Sequence, residues 1–118
     1  MDRMDDLIAF LRARLDEDEK TAHRAHGDLF SVLGQVEYYD GAAEMDEQHI
    51  TRHNPKRVLA EVEAKRQVLI EHQPWRPRWC STCDVPGDYQ GREHGCTTVR
   101  LLALPYADHP DYRDAWRP

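Results

Sequence analysis

With 118 residues, 22 acidic against 16 basic side chains and a net charge of −6, the chain is sized for one domain and has no general attraction for nucleic acid. Apolar residues make up 40% and charged residues 32%, which excludes a large core but places the chain above a disordered one. No stretch is long and apolar enough to span a bilayer, and no basic segment leads into an apolar run at the start. A cytoplasmic protein without a signal peptide is therefore expected.

The opening residues predict a helix from Asp5 to about Ala25. Met4, Leu7, Ile8, Leu11 and Leu15 recur at helical spacing, Asp5 and Asp6 suit the positive end, and Gly27 is a natural stop. Residues 28–40 mix branched and aromatic side chains before the turn signal Asp40-Gly41, and are read as a short strand, a hairpin or a loop. Glu44 to His53 predicts a short helix that stops ahead of Pro55. Asn54-Pro55 then opens a longer helix, with Asn as cap and Pro in the first turn, running to about His72 on a stripe of Val58, Leu59, Val62, Leu69 and Ile70. Pro74 and Pro77 end it. Thr97 to Leu104 predicts another short helix, followed by a proline-punctuated tail and a last turn at 111–116.

All three cysteines lie in one stretch, Cys80, Cys83 and Cys96, with His94 beside the last. A Cys-x₂-Cys turn aims two sulfurs at one point, and a second pair of donors about a dozen residues on can close a tetrahedral zinc shell. The expected ligands are Cys80, Cys83, His94 and Cys96, with His72 or Asp84 as alternatives for the fourth. A closed shell of four would make the zinc a structural cofactor and not a Lewis acid. A short, polar chain gains from such a staple, because its own buried area leaves little surplus.

No phosphate loop, nucleophile elbow or triad order is present, so no catalytic residues are assigned. His49 and His53 stand four apart, as the histidines of a metalloprotease helix do, but Ile50 occupies the position of the catalytic Glu. Between Arg52 and Trp79 basic residues outnumber acidic ones, and Trp75, Arg76, Arg78 and Trp79 are a candidate contact for nucleic acid or a protein partner.

Three runs carry a resemblance: DDLIAFLRARLDEDE (5–19), HITRHNPKRVLAEVEAKR (49–66) and RLLALPYADHPDY (100–112) with the closing WRP (116–118). They resemble an uncharacterised family of small actinobacterial and actinophage proteins, a domain of unknown function. The middle run is similar, more weakly, to Ead-like phage accessory proteins. The resemblance implies a phage- or prophage-linked accessory protein and brings no catalytic residues with it.

The expected architecture is α+β and mainly helical. Two amphipathic helices and a short β segment form a core over residues 1–73, packed through Leu7, Ile8, Leu11, Leu15, Val58, Leu59, Val62 and Leu69. A zinc-knuckle-like lobe over 74–118 pins Leu101, Leu102 and Leu104 against it. The expected function is a non-enzymatic, zinc-stabilised accessory or regulatory protein acting through protein contacts, with a homodimer as one form. The alternatives are a zinc-containing nucleic-acid-binding protein and a small metal-dependent hydrolase.

Overall fold

The computed structural model describes residues 4–26, 41–76, 79–83 and 95–118. Among these residues the protein is mainly helical with one short strand pair. Among the described residues the order is α1 (Met4–His26), α2 (Gly41–Arg52), α3 (Pro55–Glu71), β1 (Pro74–Arg76), β2 (Trp79–Cys80) and α4 (Thr97–Ala103), then two 3-10 turns at Leu104–Tyr106 and Asp114–Trp116. The segment 28–40, read from sequence as strand, hairpin or loop, lies outside the described residues.

The chain divides into two compact units, Asp16–Glu63 and a second built from Met1–Leu15 and Ala64–Pro118. In the first unit, Asn54 organises the junction between α2 and α3. Its Oδ1 accepts the backbone N–H of Arg57 at 2.9 Å, capping α3, while its Nδ2 donates to the Thr51 carbonyl at 2.8 Å. Both helix ends are thus served by one side chain, of which the Asn-Pro signal predicts the cap on α3. Ala22 and Val62 are buried here.

In the second unit, Met4, Leu7, Ile8, Leu11 and Leu15 are buried along one stripe of α1, as their spacing predicts. Phe10 and Arg14 add a second buried edge, and the proline-punctuated tail gathers on it. The Phe10 ring meets Tyr106, His109, Tyr112 and Trp116 with centroids 5.1–6.4 Å apart, mostly edge to face. The Arg14 guanidinium lies 5.2 Å from the Phe10 centroid and reaches His109 Nε2. Arg100 donates from Nε to the Trp116 carbonyl at 3.2 Å and also reaches the Arg117 carbonyl, closing the tail onto α4.

Three expected core positions are corrected. Leu101 and Leu104 are exposed at 51% and 39%, and the side chains of α4 that face inward are Val99 and Ala103. These two are four apart, and Leu101, midway between them, falls on the opposite side of a helix. Ile70 is likewise exposed at 54%, because its neighbour Leu69 is the buried residue and the next position on a helix turns away from it.

Candidate metal centre

The C-terminal end of α3 places His72. Its backbone N–H bonds back to the carbonyls of Val68 and Leu69, so the imidazole leaves the helix from a fixed last turn. Pro74 starts β1, where its missing N–H is tolerated at the first position of a strand. The chain then reverses into β2, antiparallel to β1, with Pro74 opposite Cys80 and an irregular register before Arg76 and Trp79. This short hairpin returns Cys80 to the end of the helix that it left.

The knuckle follows. The backbone N–H groups of Thr82 and Cys83 both point at Cys80 Sγ, at 3.4 and 3.5 Å, which fixes that sulfur as an acceptor inside the turn. Ser81 and Thr82, the two residues between the cysteines, send their hydroxyls to the Glu71 carbonyl. The Ser81 N–H donates to the Gln73 carbonyl at 2.8 Å. Three contacts of short sequence range therefore lock the Cys-x₂-Cys turn to Glu71 and Gln73, the residues flanking His72.

Cys96 arrives from the other side, at the N-cap position of α4 with extended backbone angles. Gly95 before it has a φ of +107°, and a Cβ there would stand 3.1 Å from Leu7 Cδ2 and 3.4 Å from Met4 Cγ. Only glycine fits that conformation and that approach to α1 without strain. The position of the third sulfur thus depends on a buried glycine.

His72, Cys80, Cys83 and Cys96 converge, with their donor atoms all within 4.8 Å of one another. Cys80 and Cys96 are buried, Cys83 is exposed and His72 is half-buried. His72 Nδ1 lies 3.3 Å from Cys80 Sγ, 3.5 Å from Cys83 Sγ and 3.7 Å from Cys96 Sγ. One ring nitrogen has a single proton or a single lone pair, so it cannot hydrogen-bond three sulfurs. A cation at the centre satisfies all four donors together.

The electrostatics agree. Without a cation, burial pushes the Cys96 thiol up from 9.0 to about 12; the Val99 backbone N–H pulls the other way, and the neighbouring sulfurs of Cys80 and Cys83 add to the rise. The Cys96 thiol therefore stays protonated at neutral pH unless a positive charge is supplied. A bound metal ion supplies it and deprotonates its ligands outright.

All three sequence-predicted cysteines are in the cluster. Among the described residues the fourth donor is His72, read from sequence as an alternative; His94 and Asp84 lie outside the described residues. Trp75 and Arg76 belong to β1 and Trp79 to β2, while Arg78 lies outside the described residues. The rings of His49 and His53 face each other with centroids 4.7 Å apart, and among the described residues no third metal donor joins them. No described helix is long and apolar enough to cross a membrane.

The chain belongs to a family of unknown function, DUF6221, whose model matches residues 4–118. No curated protein and no solved structure matches it.

Proposed function

We propose that this is a small accessory or regulatory protein whose C-terminal unit is held by a structural zinc ion on His72, Cys80, Cys83 and Cys96, and which acts through protein contacts. The observation that carries the zinc reading is the spacing around His72 Nδ1. Tetrahedral zinc with Zn–S near 2.3 Å and Zn–N near 2.0–2.1 Å sets nitrogen and sulfur about 3.6 Å apart. The three separations of 3.3, 3.5 and 3.7 Å bracket that value.

Three thiolates and one imidazole suit zinc over the oxygen-preferring cations, and four protein ligands leave no open position for substrate or water. That supports a staple and argues against a hydrolase. The accessory role rests on the resemblance of the N-terminal, middle and C-terminal runs to phage-linked small proteins. A role in protein contacts is carried over from that resemblance, and the exposed apolar side chains Ile70, Leu101 and Leu104 are where such a contact would be sought.

The test is elemental analysis of the tag-free protein, with thermal melts before and after a strong chelator. About one zinc per chain and a large fall in melting temperature on chelation are expected, since binding energy at such sites is folding energy. Metal-free protein with an unchanged melt would overturn the proposal.

A further inference from the structure

We infer that Cys83 is an oxidation site, at which a hydroperoxide converts the metal centre to a Cys80–Cys83 disulfide and releases the ion. The inference rests on the zinc reading above and adds a chemical control to it. Its basis is the asymmetry of the four ligands. Cys80 and Cys96 are each 1% exposed, whereas Cys83 is open to solvent on the turn. A soluble oxidant therefore meets one sulfur of the three. That sulfur is a thiolate while zinc is bound, and thiolate is the form that reacts.

The steps balance. The Cys83 thiolate attacks hydrogen peroxide; the O–O bond breaks, sulfur gains one oxygen as sulfenic acid and is oxidised by two electrons, and the other oxygen leaves as hydroxide. A second thiolate then attacks the Cys83 sulfur, forming S–S as S–O breaks and a second hydroxide departs. Cys80 is placed for this attack. It shares the knuckle turn with Cys83, and two backbone N–H groups hold its sulfur facing into that turn. Closing this pair moves only the turn, whereas pairing with Cys96 would draw the buried start of α4 towards it. With two sulfurs consumed, His72 and Cys96 alone cannot retain the ion. A small-molecule dithiol reverses the change by thiol–disulfide exchange.

The experiment adds one equivalent of hydrogen peroxide to zinc-loaded, full-length protein, following released zinc with a chromogenic chelator and mapping disulfides by peptide mass spectrometry. Zinc release, a Cys80–Cys83 disulfide, an alkylatable Cys96 and recovery of binding with dithiothreitol and zinc are expected. A Cys83→His variant, which keeps four ligands but removes the exposed thiol, should release zinc about tenfold more slowly or less. Zinc that stays bound in the wild-type protein, or a disulfide that includes Cys96, overturns this inference alone, whatever the variant does. Protein that carries no metal before peroxide is added overturns the zinc reading and this inference with it.

Discussion

The Ser81 hydroxyl donates to the Glu71 carbonyl at 3.2 Å, so a residue inside the Cys-x₂-Cys turn caps the last turn of the helix that leads into His72. Thr82 reaches the same carbonyl. Knuckle and imidazole are thereby held in register by hydroxyl-to-carbonyl hydrogen bonds that need no metal.

Replacing both hydroxyls, Ser81→Ala with Thr82→Ala, removes these bonds while leaving every donor of the cluster in place. A loss of about 1–2 kcal/mol in stability is expected from hydrogen-bond energetics, and a drop of about tenfold in metal affinity from the lost orientation of His72. Urea melts and competition against a chelator of known affinity measure the two effects.

Gly95→Ala tests the route by which Cys96 enters. The substitution places a Cβ 3.1 Å from Leu7 Cδ2 at a backbone φ of +107°. The strained backbone alone costs on the order of 1–3 kcal/mol, with the clash against α1 in addition. Denaturation should show the loss, and metal content should fall with it because Cys96 is the next residue.

Phe10→Ala tests the tail. The ring is the common neighbour of Tyr106, His109, Tyr112 and Trp116, and its removal leaves a cavity at the centre of that cluster. A cost of about 3–5 kcal/mol is expected, a large share of the stability of a small domain. Limited proteolysis should then cut within the last turns of the chain, where the wild-type protein resists.

The pH dependence separates metal-free from metal-loaded protein. In the metal-free fold the Cys96 thiol is raised from 9.0 to about 12, so the protonated form is the one that the fold favours. Its contribution is complete below pH 9 and is lost as pH climbs from 9 towards 12. Bound metal holds the thiolate, so the alkaline loss disappears and stability instead falls in acid, where protons compete for the ligands. From pH 9 to 12 the melting temperature of chelated protein should fall while that of zinc-loaded protein holds, and in acid the zinc-loaded protein should lose its metal-dependent stability.

The sequence made the helices of this protein readable where a local signal marks them. Asn54-Pro55 announces α3 because the cap and the first-turn proline are neighbours, and the α1 stripe is read from Met4 to Leu15 because its period is unbroken. The cysteines are legible for the same reason, two of them lying in one turn. His72 is harder to find, since it stands eight residues before Cys80 and is returned to it only by a hairpin of three- and two-residue strands. A histidine at the end of a helix, followed by a proline and then a Cys-x₂-Cys turn, is the signal that identifies it. The aromatic fold-back is not readable at all from periodicity. Tyr106, His109, Tyr112 and Trp116 sit among prolines and charges, and their common partner Phe10 lies at the far end of the chain.

The most direct measurement is X-ray absorption at the zinc edge, on wild-type protein and on a His72→Ala variant. The wild-type spectrum should fit three sulfurs at about 2.3 Å and one nitrogen at about 2.0–2.1 Å, with the imidazole signature lost in the variant. Absence of zinc, a shell of nitrogen and oxygen without sulfur, or a nitrogen that persists without His72 would contradict the assignment.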